Sequence, residues 1–214
     1  TGDTEKALKI IDTHRFHPWE GGEGKVSTLY ITNLVLQGRK ALLNNKNEEA
    51  ITLLNRARVY PDNLGEGKIF GAQENDIFYW LGCAYDQQGD PVKAYEYWEM
   101  AAVGLDEPTP AIYYNDQQPD KIYYQGLALK KLGKTTEAAQ KFQKLINYAS
   151  VHENDHIRID FFAVSLPDLM IFDDDLDTKN KIHCYYLAGL GHLGLGHFSE
   201  AKQYLGKVIN MDPS

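Results

Sequence analysis

A glycine followed twelve residues later by an alanine occurs four times along the chain, at Gly38 and Ala50, Gly82 and Ala94, Gly126 and Ala138, and Gly189 and Ala201. In an antiparallel helical hairpin, small residues belong where two backbones approach most closely, so the spacing predicts four copies of one helix-turn-helix unit. Five residues before the last three of these alanines stand Gly89, Gly133 and Gly196, and Asn45 holds that place in the first copy. Glycine and asparagine adopt a left-handed or turn backbone more readily than other residues, which puts the turn between the paired helices there. The expected chain is all-α and repetitive, with local contacts between successive hairpins.

The second copy reads Phe78-x2-Leu81-Gly82-x2-Tyr85, then Ala94-x3-Trp98, Ala101 and later Pro108. It resembles the tetratricopeptide repeat (TPR) nearly position by position. The fourth copy follows with Tyr185, Ala188, Gly189, His192, Ala201, Leu205 and Pro213, the third with Gly126, Leu129, Ala138 and Phe142, and the first with Leu34, Gly38, Ala41, Ala50, Leu54 and Ala57. The resemblance implies a TPR-like α-solenoid, a right-handed superhelix of helical hairpins with long insertions between repeats. The same pattern opens the chain as Gly2 and Ala7, with Ile11 at the aromatic position. A helix over Thr4 to Thr13 is therefore expected to be the second half of a repeat, and the sequence to be a piece of a longer protein. The expected layout is a single domain, 1–214, with that helix in 1–13, repeats at 27–59, 75–104, 119–149 and 178–210, and a long insertion at 150–177.

No apolar run approaches the ~20 residues that span a bilayer. The net charge is −8 and the basic residues are scattered, which argues against nucleic acid as a partner. Cys83 and Cys184 each fall inside a first helix and read as small core residues rather than a disulfide. The compartment stays open, with the cytoplasm slightly favoured, and no cofactor or metal is expected.

The repeat alanines Ala7, Ala50, Ala94, Ala138 and Ala201 are 43, 44, 44 and 63 residues apart, against about 34 for an ordinary TPR. Function, where it is readable, belongs in the extra residues, which a solenoid gathers along one flank. Two insertions share a tetrapeptide, Gly22-Glu23-Gly24-Lys25 and Gly65-Glu66-Gly67-Lys68. Two readings stand: tight turns with solvated or paired charges, or twin loops whose backbone N–H groups and lysines face an anionic ligand at a helix start. The Walker A spacing is missing.

Before the first tetrapeptide lie His14, Phe16, His17, Pro18, Trp19 and Glu20. Proline keeps this stretch off a helix. Metal ligation by His14, His17 and Glu20, sugar stacking on Trp19, and an ordinary loop that plugs a helix groove with Phe16 and Trp19 are the three readings. The connector from Gly104 to Pro119, with Tyr113, Tyr114, Asn115 and Asp116, is expected to be extended. The insertion from Ser150 to Thr178 carries two apolar runs, Phe161 to Val164 and Leu169 to Phe172, that demand burial. Its Asp173 to Asp177 run reads as a helix-start cluster and not as a calcium loop. His183, His192 and His197 read as structural.

Taken together, FHPWEGGEGK, NLGEGK, ENDIFYWLG, SLPDLMIFDDDL and YYLAGLGHLGLG resemble the C-terminal TPR region of a family of large bacterial proteins. Their preceding domain, of unknown function, resembles a mutarotase-like β-sandwich. The resemblance implies a link to carbohydrate metabolism and brings no catalytic residues. The reading that follows is a non-catalytic scaffold that docks the upstream domain of its own protein, or a protein or peptide partner, through groove residues such as Tyr30, Asn33, Gln37, Asn75, Asp76, Tyr79 and Asp86. The competing reading is a contribution to a sugar-binding or glycoside-processing site by His14, His17, Trp19, Glu20, Glu23, Lys25, Glu66 and Lys68, where glycosidic cleavage would need two carboxylates at a set separation.

Overall fold

The computed structural model describes residues 3–17, 22–110, 118–157 and 175–212, and every regular element in them is helical. Chain contacts divide the protein into two compact units, Thr1–Ala101 and Ala102–Ser214. The first holds α1 (Thr4–Thr13), α2 (Lys25–Leu43), α3 (Asn47–Arg56), a short 3-10 turn (Asp62–Leu64), α4 (Asn75–Gln88) and all but the last residue of α5 (Pro91–Ala102). The second holds α6 (Pro119–Lys131), α7 (Thr135–His152), α8 (Leu176–Leu195) and α9 (Phe198–Met211). The fold class read from the spacing is correct: the described residues form an all-α, TPR-like solenoid of helical hairpins.

Each hairpin is built the same way. The glycine of the first helix faces first the large side chain one turn beyond the repeat alanine; at Gly82 the Ala94 carbonyl is close as well, 3.1 Å from an added methyl. A methyl group at Gly38 would stand 3.0 Å from Leu54 Cγ, one at Gly189 2.6 Å from Leu205 Cδ2, and methyls at Gly82 and Gly126 would overlap the rings of Trp98 and Phe142. Glycine clears a seat for a leucine or an aromatic ring, and close packing fills that seat. The alanine is buried as well: Ala50, Ala94 and Ala138 are fully inaccessible and Ala201 nearly so.

The turns also repeat. Gly89, Gly133 and Gly196 have φ of +87°, +77° and +82°, and Asn45 has +57°. After each, the next residue's N–H reaches back to a carbonyl of the first helix, Lys46 to Ala41, Asp90 to Tyr85, Lys134 to Leu129 and His197 to His192, all at 2.9 Å. This left-handed stop satisfies carbonyls that the helix end would otherwise strand. Asn45 manages the conformation without being glycine because its short amide tolerates it, and its Oδ1 accepts from Gln87 Nε2 at 2.8 Å.

In the first unit the core joins Leu8 and Ile11 of α1, Tyr30, Leu34 and Val35 of α2, Leu54 of α3, Leu64 of the 3-10 turn, and Ile77 and Leu81 of α4. In the second, Ile122, Leu145, Ala149, Cys184, Leu187 and Leu190 pack together. Cys83 and Cys184 are both free thiols, the first half-buried and the second buried. Burial pushes the Cys184 thiol up to about 11, so it stays protonated and inert. Helix α8 lies tight on α7 because Gly191 sits against Ile146 and the Phe142 carbonyl, and Gly194 against the Phe142 ring.

Candidate functional site

The two glutamate-glycine-lysine turns meet, but not as twins. Gly24, at φ +77°, is the last residue before α2, and Lys25 is the first residue of that helix. In the second copy the left-handed residue is Gly65, which closes the 3-10 turn well ahead of α4. Glu66 then crosses to the start of α2. Its Oε1 accepts the Gly24 N–H at 2.9 Å and its Oε2 accepts the Ser27 hydroxyl at 2.8 Å. Gly24 has no side chain with which to cap α2, so the second tetrapeptide supplies the cap. A carboxylate at the positive end of a helix is the arrangement the macrodipole favours.

Lys68 is engaged too. Its Nζ donates to Glu74 Oε1 at 2.6 Å and to the Arg58 carbonyl at 3.3 Å. Glu74, at the entrance to α4, also lies 3.5 Å from Arg58 Nε, and the Arg58 guanidinium covers the Phe78 ring. The anion that the helix start and the lysine could attract is thus a protein carboxylate in each case. An external anion at Gly24 would have to displace Glu66. Glu23 is half-buried and Lys25 is exposed.

The segment after α1 is stapled by Asn63 of the 3-10 turn. Asn63 Nδ2 donates to the carbonyls of Ile11 at 2.8 Å and His14 at 2.9 Å, and the Asn63 carbonyl accepts the Phe16 N–H at 2.8 Å. Phe16 packs half-buried against the core, as the plugging reading expects. His14 Nδ1 lies 2.9 Å from the Ile10 carbonyl, which assigns the proton to that nitrogen, and His17 is exposed. Trp19 and Glu20 lie outside the described residues. Among the described residues no three His, Cys, Asp or Glu side chains converge as a metal-ligand group.

The groove residues are mostly committed to the fold. Tyr30 is buried, its hydroxyl accepting from Arg56 Nε at 3.2 Å, while Arg56 pairs with Asp12. Asn33 is buried and donates to the Leu29 carbonyl at 2.7 Å, and Asn75 is buried and donates to the Ala101 carbonyl at 2.8 Å. Gln37 is half-buried and donates to the Thr4 carbonyl at 3.1 Å, tying α2 to α1. Asp76 is buried, Tyr79 stands edge-on to Trp80 at 5.1 Å, and Asp86 is exposed. Tyr30, Asn33, Asn75 and Asp76 are therefore closed to a ligand in the groove. Period alone could not separate them from exposed positions, because a polar side chain satisfied by its own helix, as Asn33 is, or by another helix, as Tyr30 and Asn75 are, carries no sequence mark.

The later connectors are braces where they are described. Asp106 pairs with Lys141 and Lys144 of α7, and these ammonium groups, Lys141 first, hold its carboxyl below the usual range. Gln125 Nε2 donates to the Leu105 carbonyl, and His183 Nε2 lies 2.8 Å from the Thr109 carbonyl. Tyr113 to Asp116 lie outside the described residues. So do the Phe161 to Val164 and Leu169 to Phe172 runs, with Asp173 and Asp174. At the start of α8 the Asp175 carboxylate accepts the Thr178 N–H and hydroxyl, and Asp177 accepts the Ile157 N–H and pairs with His156. Those bonds hold both carboxyls low.

Two family models described as tetratricopeptide repeat match this chain, over residues 122–149 and 182–214. They fall on the α6–α7 and α8–α9 hairpins, so the chain carries a TPR region. The crystal structure of MamA is similar over 99% of this chain and 90% of that one, at 17% identity and a TM-score of 0.32. A likeness that loose says nothing about a site or a partner. No helix among the described residues is long and apolar enough to cross a membrane.

Proposed function

We propose that this chain is a non-catalytic scaffold that docks a protein partner, with its inter-repeat connectors serving to brace the helices. The observation that supports this most is Glu66. The carboxylate best placed to take part in a sugar or anion site is spent on the N-terminus of α2, through Gly24 and Ser27. TPR hairpins are interaction modules, and the two repeat matches favour a protein as the thing bound. The partner is an upstream mutarotase-like domain of the same bacterial protein, or a separate protein or peptide, and the carbohydrate link belongs to that neighbour.

Sedimentation of the longest natural form of the protein with its partner tests this. Gly38→Phe and Gly126→Phe, which cannot share space with Leu54 and Phe142, break one hairpin in each unit, and the two combined should dissolve the complex. A complex that survives loss of both hairpins would overturn the reading.

A further inference from the structure

We propose that His192 and His197, which face each other across the α8–α9 turn, form a two-imidazole site for a zinc ion. Their Nδ1 atoms lie 3.3 Å apart. That is longer than the ~2.9–3.0 Å at which an N–H donor usually sits from its acceptor. Two Zn–N bonds of about 2.0–2.1 Å that enclose a tetrahedral angle set their nitrogens about 3.3–3.4 Å apart. The pair already stands at the separation a zinc chelate requires.

The repeat brings these two positions together in every hairpin, and only the fourth puts imidazoles there. Residues three and eight places after the repeat glycine are Ala41 and Lys46, Tyr85 and Asp90, Leu129 and Lys134, and His192 and His197. In all four, one backbone bond ties the pair, from the N–H of the second residue to the carbonyl of the first. His192 by itself has a structural duty, since its ring stacks on Tyr204 at 5.5 Å and 8°, as Tyr85 stacks on Tyr97 at 5.4 Å and 4°. That stack holds the ring in place and needs nothing from residue 197. His197 has no such duty. At the N-cap of α9 its side chain makes no capping bond, whereas Asp90 at the same place accepts the Lys93 N–H at 3.1 Å. An imidazole stands where a capping side chain would serve the helix, and it is aimed at a second imidazole.

The donors select the ion. Neutral imidazole nitrogens suit zinc and its transition-metal neighbours, whereas calcium and magnesium take oxygen ligands. Ligation through both Nδ1 atoms places both ring protons on Nε2. The proton now shared between the two Nδ1 atoms therefore moves to an outer nitrogen through water, and two neutral rings keep their proton count. No third His, Cys, Asp or Glu among the described residues completes the set, so water fills the other positions and the ion is held less tightly than at a four-ligand structural site. Glu200, three residues beyond His197 in the first turn of α9, adds a negative charge on that side of the helix. The entry path is open: Lys46 and Lys134, at the turn position of His197, are exposed although a further hairpin follows each within its unit.

The probe is zinc chloride, added to the 1–214 chain after treatment with EDTA. Isothermal titration calorimetry at neutral pH should show saturable zinc binding with which calcium does not compete. Nitrogen NMR of the imidazoles should show the His192 and His197 rings both protonated at Nε2 once zinc is bound. His192→Tyr, which keeps the aromatic stack in the form Tyr85 gives it, and His197→Asn should each weaken zinc at least tenfold with helical circular dichroism unchanged. His17→Gln, at an exposed histidine of the first unit, should leave the affinity as it was. Absence of saturable binding, an affinity indifferent to either the His192 or the His197 variant, or loss of binding on His17→Gln overturns the proposal.

Discussion

At Gly126 an added methyl would overlap the Phe142 ring, whereas at Gly67 no atom lies within 4 Å of the same addition. Gly126→Ala should therefore lose about 1–3 kcal/mol by overpacking, and Gly67→Ala should stay within about 0.5 kcal/mol of the parent. Urea unfolding of both variants checks the pair. The glycines were legible in the sequence, but what they face was not. Spacing marked Gly and Ala as small, while the side chain that needs the room is Leu54, Trp98, Phe142 or Leu205, four residues past the alanine. Glu66 was less legible still. Its partners Gly24 and Ser27 are some forty residues away, and a cap supplied from such a distance leaves no local pattern such as a capping box.

At the level of elements, the turns were the most legible part, because only a left-handed residue at Asn45, Gly89, Gly133 and Gly196 lets the second helix fold back. The α8–α9 turn carries an added electrostatic feature. His192 Nδ1 lies 3.3 Å from His197 Nδ1, and the His192 ring stacks on Tyr204. Burial first, and then His197, lowers the His192 pKa from its ordinary 6.5. The folded state thus binds fewer protons than the unfolded chain between the lowered value and 6.5, so this turn loses stability as pH falls through that window. Proton NMR should find His192 titrating below 6.5, and His197→Asn should raise its pKa without restoring it fully, since burial remains. The brace from the third connector has an acid dependence as well. Asp106, lowered by Lys141 and Lys144, contributes stability that is present above the ordinary carboxylate pKa and is lost as pH falls through its lowered value. Asp106→Asn should remove that part of the acid limb in a melting-versus-pH series.

For the whole molecule, the fold class followed from repetition, because four hairpins in one register leave little choice of architecture. The site did not follow, for a physical reason. Residues that look functional by type, such as Glu66, Lys68, Tyr30 and Asn75, are also the residues that satisfy helix ends and buried carbonyls, and only the three-dimensional partner distinguishes the two uses. The most direct measurement on this account is Glu66→Gln in the longest natural protein, followed by thermal melting together with glycoside turnover. Loss of the charged cap on α2 should lower stability by about 1 kcal/mol, a shift of a few degrees, with turnover unchanged. Unchanged melting with turnover abolished would show that the Glu66 carboxylate serves chemistry and not the helix, and would contradict the scaffold.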